Sequence, residues 1–332
     1  MTDSRGTLRA SMLQVAVALG AVYLIWGSTY LAIRFAIETI PPFLMAALRY
    51  LAAGAMLYAW SRLRGAPRPR LVHWRPAVAL GGLLLLLGNG GVVWAEQRVS
   101  SGLAALLVST EPLWIVLFVW MRDHGRPAGR VLLGLLLGLA GLVLLVRPGS
   151  TGGIDPLGIA AVMVASVSWA WGSLYSQRAK LPPSPLLGTA MQMLGGGGLL
   201  LLASALTGEP ARFHLAAVSM RSALSLGYLV VFGALIAFTA YVWLLRVAPP
   251  VLVSTYAYVN PLVAVFLGWA VAGEPITRGT LIAAAVILAG VALISSSQGR
   301  GTGKRMEEKR PAREPEPALI EENVEAEVCA TR

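Results

Sequence analysis

The sequence predicts an all-α integral membrane protein whose ten transmembrane helices form two inverted five-helix repeats. Three observations support this fold class: the composition, the length of the apolar stretches, and an internal repeat. Of the 332 residues, 56% are hydrophobic and only 13% are charged, whereas soluble domains carry roughly 25% charged residues. Apolar stretches fill the chain from about residue 12 to residue 297.

The apolar stretches divide into ten segments of membrane-spanning length, because a helix needs about 20 residues to cross the hydrocarbon layer. Proline and glycine separate them, for example at Pro148-Gly149 and Pro249-Pro250, where proline removes a backbone donor and ends a helix. The first stretch is too long for a signal-peptide core, so we interpret it as a retained helix. The predicted spans are 12–33, 41–61, 76–95, 101–121, 130–147, 156–177, 186–206, 221–245, 251–272 and 279–297.

Basic residues in the connecting loops predict the orientation, because Lys and Arg in short loops remain on the cytoplasmic side. With the N-terminus inside, the inner loops carry eleven basic residues and the outer loops carry six. The inner residues include Arg62, Arg75 and Arg246, and the outer ones include Arg34 and Arg98. We therefore expect a multi-pass protein of the inner membrane with both termini in the cytoplasm.

The formal charge of +11 does not indicate nucleic-acid binding, because the surplus lies in the membrane loops and at the N-terminus. The tail from Arg300 onward is nearly balanced, with seven basic and eight acidic residues. Its Glu-, Arg- and Pro-rich composition predicts disorder. The predicted organisation is a cytoplasmic N-terminus (1–11), a first repeat (12–147), a second repeat (156–297) and a disordered cytoplasmic tail (298–332).

The two halves of the chain match each other in order. At an offset of 149 residues, Val93-Trp94 falls on Val242-Trp243 and Pro112 falls on Pro261. Smaller offsets align further blocks, which include Trp26-Gly27-Ser28 with Trp171-Gly172-Ser173 and Arg49 with Gln192. Because each half has an odd number of helices, the second half enters the membrane upside down. Inverted repeats are typical of secondary transporters, whose substrate site lies near the midplane between the repeats.

Four stretches resemble a known family. They are IWGSTY (25–30), GNGGVVWAEQ (88–97), SVSWAWGSLY (166–175) and STYAYVNPLVAVFLG (254–268). Together they resemble the drug/metabolite transporter superfamily in its ten-helix EamA-type branch, and they look especially similar to the YedA-like bacterial exporters. The resemblance covers about residues 15–297. It implies two EamA-type repeats around a central cavity, and export of amino acids, related metabolites or drugs.

The sequence departs from the family pattern at one point. The family often ends its fourth and ninth helices in Gly-Glu, which Gly273-Glu274 fits, whereas the first half carries Met121-Arg122-Asp123-His124 at that point. This departure argues against an exactly symmetric gate at the cytoplasmic end of the fourth helix.

Two ionisable residues, Arg49 and Glu111, are predicted to lie deep within spans. Such residues are costly in hydrocarbon and mark a pathway or a buried partner. At about 1.5 Å of rise per residue, both lie roughly 12–15 Å from the outer face. Two interpretations stay open. Either Arg49 and Glu111 form a structural ion pair that locks helix 2 to helix 4, or Glu111 faces the cavity as a protonatable or cation-binding group.

Two prolines in mid-membrane, Pro112 and Pro261, are predicted helix breaks. Each frees the carbonyl four residues earlier, at Val108 and Ala257, and exposed backbone at this depth is tolerated only against protein or a water-filled cavity. Each proline follows a polar residue, Glu111 or Asn260. The breaks are thus interpreted either as kinks that shape packing or as elements of a cavity.

Aromatic and neutral polar side chains complete the predicted substrate cavity. Trp and Tyr four residues apart share one helix face, although these residues also occur at membrane interfaces. Asn89 is polar in mid-span and is expected to face the bundle, with helix–helix contact as the alternative. The predicted lining is Trp26, Tyr30, Asn89, Glu111, Trp171, Tyr175, Tyr256 and Asn260.

These features predict a secondary carrier that exports small metabolites or drugs. The alternatives are an integral-membrane enzyme and a channel. The predicted spans contain no His and one carboxylate, whereas enzymes that form covalent intermediates need an activated nucleophile and its base. No P-loop occurs, and the sequence predicts neither a cofactor nor a metal site. The expected partners are the lipid bilayer and a small-molecule substrate but no nucleic acid, and the oligomeric state stays open, a monomer included.

Overall fold

The computed structural model describes residues 11–99, 104, 107–123, 127–145, 155–272 and 278–307. Within these residues the fold is all-α, with ten membrane helices in two five-helix halves and no strand. The helices are α1 (Met12–Ala36), α2 (Pro42–Leu63), α3 (Leu71–Ala95), α4 (Glu111–Asp123), α5 (Gly129–Leu145), α6 (Pro156–Ser176), α7 (Pro185–Leu206), α8 (Met220–Val247), α9 (Tyr256–Ala272) and α10 (Arg278–Glu307).

Six helices are long and apolar enough to cross a bilayer by themselves, namely α1, α2, α3, α6, α7 and α8. The helix bounds follow the predicted spans with four differences. The fourth span is interrupted by a turn at Ser109-Thr110, so that α4 begins at Glu111. Helix α3 begins at Leu71, so that Pro76 lies inside its second turn. A short helix, Pro250–Val253, precedes α9. Helix α10 continues to Glu307, ten residues into the predicted disordered tail, because extending a helix requires no new nucleation.

Some predicted features lie outside the described residues. These are the family's Gly273-Glu274 pair, the tail from residue 308 onward, and most of the N-terminal half of the fourth span.

Corresponding helices of the two halves pack in pairs, α2 against α7 and α5 against α10. The remaining packing is reciprocal: α1 contacts α8 and α9, and its counterpart α6 contacts α3 and α4. The C-terminal end of α7 lies beside the N-terminus of α2. The carboxylate of Glu209, just after α7, accepts hydrogen bonds from Phe43 N (3.2 Å) and Leu44 N (2.8 Å). Helices α2 and α7 are therefore antiparallel. An antiparallel pair of equivalent helices requires that the repeats be inverted.

Glycines allow these paired helices to touch along their backbones. A Cβ on Gly54 would lie 2.9 Å from Met193 Cβ, and a Cβ on its counterpart Gly197 would lie 2.9 Å from Leu51 Cγ. The second pair behaves likewise, since a Cβ on Gly134 would lie 2.7 Å from the carbonyl oxygen of Gly290. Small residues at such crossings permit close approach of membrane helices, which gains van der Waals contact.

Helices α3 and α8 each contain a ten-residue π-helical segment at equivalent positions in the two repeats. The segments are Gly81–Gly90 and Leu229–Phe238. The sequence pattern gives no sign of these segments. π-Helical segments are rare and frequently occur at functional sites, and both segments contact the central helices α1, α2, α6 or α7.

Ion pairs tie the loops together at the end of the molecule where α1 and α3 finish. Arg98 Nη1 lies 3.2 Å from Asp155 Oδ2, and Arg221 Nη1 lies 3.5 Å from Glu38 Oε1. Asp155 also caps α6 by accepting a bond from Leu157 N. This backbone donor first, and Arg98 second, lower the pKa of the Asp155 carboxyl.

Candidate functional site

A cavity lies between the two repeats. It occupies the half of the helix bundle that contains the C-terminal ends of α1 and α3. It contains about 730 Å³ of space free of protein atoms, its mouth included. Helices α1, α2, α3, α6 and α9 contribute to its wall, together with Val108 and Glu111 near the start of α4. The cavity extends from Trp26, in the middle of α1, to Glu96, just beyond the end of α3.

Aromatic side chains from four helices close the deep end of the cavity. The ring centroid of Trp26 lies 5.0 Å from Tyr241, 5.0 Å from Tyr256 and 5.7 Å from Trp169. Hydrogen bonds fix the cluster, since Trp26 Nε1 donates to Gly233 O (3.2 Å) and Trp169 Nε1 donates to Tyr241 Oη (2.8 Å). Edge-to-face aromatic contacts add to this stabilisation. The cluster separates the cavity from the opposite end of the molecule.

The carboxylate of Glu111 is buried and faces the cavity. Its Oε2 accepts a hydrogen bond from Tyr256 Oη, while its Oε1 has no protein partner. Tyr256 belongs to α9, so this bond joins the two repeats. The arrangement agrees with the interpretation in which Glu111 faces the cavity.

The predicted ion pair between Arg49 and Glu111 does not form. Both side chains line the cavity, but Glu111 is bonded to Tyr256, and the guanidinium of Arg49 lies against α8, with Nη2 2.7 Å from the position of a Cβ on Gly233. Arg49 has no carboxylate partner among the described residues, and its Nε is buried without an acceptor. The ion pair was one of two alternatives that the sequence left open, because depth along two helices does not determine which side chains face each other.

Two asparagines in the cavity wall differ in their bonding. Asn260 bridges α9 and α1 when its amide is assigned from the surrounding hydrogen-bond network: the nitrogen then donates to Tyr256 O and Tyr23 O, each at 3.1 Å. Asn89 lies in the π-helical segment of α3, and its Oδ1 is buried without a partner. Buried polar atoms are normally hydrogen-bonded. Asn89, Glu111 and Arg49 therefore offer one hydrogen-bond acceptor, one carboxyl group and one guanidinium group to the cavity.

The two predicted helix breaks have different structures. In the first repeat the chain turns at Ser109-Thr110, and helix α4 begins at Glu111, with Pro112 in its first turn. In the second repeat Pro261 lies inside the continuous helix α9. The carbonyl of Ala257, which Pro261 cannot bond, accepts from Ser109 Oγ at 2.8 Å. The freed carbonyl at this depth is therefore satisfied by protein from the other repeat.

Six of the eight predicted lining residues surround the cavity, whereas Trp171 and Tyr175 do not. Trp171 is 55% exposed and contacts Phe118 on the outside of the bundle. Tyr175 packs at the edge of the main apolar core. The lining tryptophan of α6 is instead Trp169. Two residues along an α-helix correspond to a rotation of about 200°, so Trp169 and Trp171 point in opposite directions.

The sequence analysis missed several lining residues, of which Glu96 and Trp169 are the most informative. Both lie within the stretches that carry the family resemblance, GNGGVVWAEQ and SVSWAWGSLY. The family resemblance of these stretches is the one sequence signal that could have added both residues to the predicted lining. The others are Thr29, Ile33, Tyr50, Gly88, Val92, Val93, Val108, Ala165 and Ser166. Arg49, which was predicted as a deeply placed ionisable residue, also lines the cavity.

Ten membrane helices in inverted repeats, with a partly polar cavity between the repeats, define a membrane transporter. The sequence profile of the EamA-like transporter family matches residues 13–147 and again residues 156–296. The chain belongs to this family of the drug/metabolite transporter superfamily.

Relatives with assigned names agree with this classification. The chain is 42% identical over 280 residues to the uncharacterized inner membrane transporter YedA of Escherichia coli K12, which covers 84% of this chain and 89% of that protein. It is 26% identical to protein PecM of Dickeya dadantii, over 81% of this chain and 88% of that protein. The chain is thus a multi-pass transporter of the inner membrane.

A crystal structure of another protein has the same fold. It superposes with a TM-score of 0.72 at 24% sequence identity, over 87% of this chain and 99% of that chain. At this identity the similarity concerns the fold alone.

Proposed function

We propose that the protein is a secondary carrier that exports small metabolites, such as amino acids or related compounds, or drugs from the cytoplasm. The cavity carries the proposal, because it lies between inverted repeats and its wall combines aromatic rings with Arg49, Asn89 and Glu111. Aromatic walls favour a ligand with an apolar part. The unpartnered polar atoms of Arg49, Asn89 and Glu111 favour a ligand that also carries polar groups.

The alternatives of an enzyme and a channel have less support. The only histidines in the described residues, His73 and His214, lie outside the cavity wall, so the wall offers no nucleophile with an imidazole base. A channel requires a continuous pathway, whereas the aromatic cluster around Trp26 closes the cavity at its deep end. We therefore propose vectorial transport without catalysis.

Counterflow in proteoliposomes tests the proposed carrier. With unlabelled substrate inside, a labelled amino acid or lipophilic drug from a screening panel should enter transiently and saturably. Saturation is expected because each transport cycle occupies one cavity. Electrical conductance without saturation would instead indicate a channel, and chemical conversion of the substrate would indicate an enzyme.

We propose further that the inverted repeats exchange roles during transport. In this structure Trp26 and Tyr30 of the first repeat line the cavity, while their counterparts Trp171 and Tyr175 lie outside it. Rocking of one repeat against the other opens the opposite face in many carriers with inverted repeats. In the alternate state Tyr175 would then line a cavity on the other side, whereas Trp171, which lies on the outer face of α6, would stay outside it.

Cysteine labelling tests both the orientation and this exchange. With Cys329 replaced by serine, Ala66→Cys in intact cells should resist a membrane-impermeant reagent, because the proposed topology puts this loop in the cytoplasm. Tyr30→Cys should react from the periplasm and Tyr175→Cys only from the cytoplasmic side of inverted vesicles. Labelling of Ala66→Cys in intact cells would overturn the topology, and reaction of Tyr175→Cys from the periplasm would overturn the exchange.

A further inference from the structure

A second cavity lies between α1, α7 and α8, at the end of the molecule opposite the mouth of the central cavity. It contains about 680 Å³ of space free of protein atoms, its mouth included. Its wall consists of Ala18, the first turns of α7 from Pro185 to Thr189, and one face of α8 from Leu235 to Arg246. We call it the α7–α8 groove.

The α7–α8 groove is open toward the lipid. Leu186 and Ile236 line it and are 38% and 43% exposed, and exposed apolar side chains at membrane depth contact acyl chains. The wall is apolar over most of its length, with Ala240 and Trp243 on the same face of α8. An apolar chain from the bilayer therefore has access to this groove.

A single cation, Arg246, lies at one end of the groove. Its Nη2 is 3.3 Å from the position of a Cβ on Gly188, so the glycine leaves room for the guanidinium beside α7. Its side chain is exposed at this end of α8, and among the described residues no carboxylate lies within ion-pair distance of it. An anion at the mouth of the groove can therefore form a charge-assisted hydrogen bond with Arg246. Thr239 Oγ1, also in the groove wall, is buried without a hydrogen bond.

We propose that the α7–α8 groove binds an anionic phospholipid of the adjacent leaflet. Thr239 and Arg246 are seven residues apart, which puts them on one face of α8 about 10 Å apart along its axis. The lipid phosphate would pair with Arg246 and the Thr239 hydroxyl would donate to an ester oxygen, while one acyl chain fills the apolar wall. Basic pockets between transmembrane helices bind anionic headgroups in this way. A soluble anion would satisfy Arg246 but leave the apolar wall uncovered.

Native mass spectrometry of the purified full-length protein tests the proposal. Phosphatidylglycerol and phosphatidylcholine with identical acyl chains are compared, and the wild type should retain phosphatidylglycerol preferentially. Arg246→Gln should reduce this preference roughly fivefold, the factor expected for one basic residue near anionic lipid. Arg246→Lys should keep most of it. The matched control is Arg75→Gln, which removes an exposed cation at the same end but outside the groove and should change nothing.

A second variant protects the test against misfolding of Arg246→Gln. Ala240→Trp fills the groove and leaves Arg246 in place, so it should also lose the bound lipid. Equal retention of both lipids by the wild type would overturn the proposal, as would unchanged preference in Arg246→Gln. Displacement of phosphatidylglycerol by millimolar glycerol phosphate would indicate a site for the headgroup alone and would equally contradict it. None of these outcomes depends on whether the protein exports a metabolite.

Discussion

Glu111→Gln should abolish most transport while leaving the protein folded. The glutamine can still accept the hydrogen bond from Tyr256 Oη, and no buried cation loses its partner, because Arg49 is not paired with Glu111. The acidic group that faces the cavity is lost. Removing one member of a buried, hydrogen-bonded charge pair typically costs about 2–5 kcal/mol. If a cationic group of the substrate pairs with Glu111, counterflow at low substrate concentration should fall roughly 30-fold or more.

The double variant distinguishes this interpretation from a structural ion pair. In a structural pair, Glu111→Gln alone would cost about 3–5 kcal/mol of stability, and adding Arg49→Gln would restore folded protein. We expect neither effect. Glu38→Gln is the control, because Glu38 is an exposed carboxylate paired with Arg221 outside the cavity, and its transport should equal the wild type. If Glu111→Gln transports as well as the wild type, Glu111 does not contribute to the substrate site.

Gly81→Ala should cause a large loss of folded protein. A methyl group at this position would lie 2.4 Å from Gly196 N and 2.6 Å from Gln192 O. These are backbone atoms of α7, so no side chain can rotate away, and α3 and α7 must separate. Overpacking of a tight interface typically costs about 1–3 kcal/mol, and occasionally more. Fluorescence-detected size-exclusion chromatography and the melting temperature in detergent measure the effect.

The glycine run of α7 provides the matched control. A Cβ on Gly198 meets nothing within 4 Å, so Gly198→Ala has no steric cost. Alanine also loses less backbone entropy than glycine in a helix, which is worth roughly 0.5–1 kcal/mol. The two substitutions should therefore change the melting temperature in opposite directions. Equal effects would show that helix propensity, rather than the α3–α7 contact, governs this position.

The architecture could be predicted from the sequence because it depends on one-dimensional signals. Apolar stretches long enough to span the bilayer are visible in the linear sequence. The internal duplication is visible as well, because tryptophans and prolines recur in the same order in both halves. The inversion of the repeats follows from an odd number of helices in each half. The antiparallel contact of α2 with α7, made by Glu209, agrees with that argument.

The cavity lining was predicted in part, because helical periodicity restricts a side chain to a face but does not say what the face meets. Trp26 and Tyr30 line the cavity, yet their equivalents Trp171 and Tyr175 do not. The sequence signal is the same in both repeats, but on α6 the side chain that faces the cavity is Trp169, two residues before Trp171. A matched residue in a repeat therefore does not have to face the same surroundings as its counterpart.

The sequence alone determined that the chain spans the membrane, that it is duplicated and inverted, and which few polar residues lie deep within it. Only the tertiary structure decided the partners of those residues: Glu111 bonds Tyr256 across the repeat boundary, and Arg49 lies against Gly233. The physical reason is that membrane depth follows from position along a helix. Which side chains face each other depends instead on how each helix is rotated about its axis. That rotation is set by the π-helical segments of α3 and α8 and by the glycines at the helix contacts.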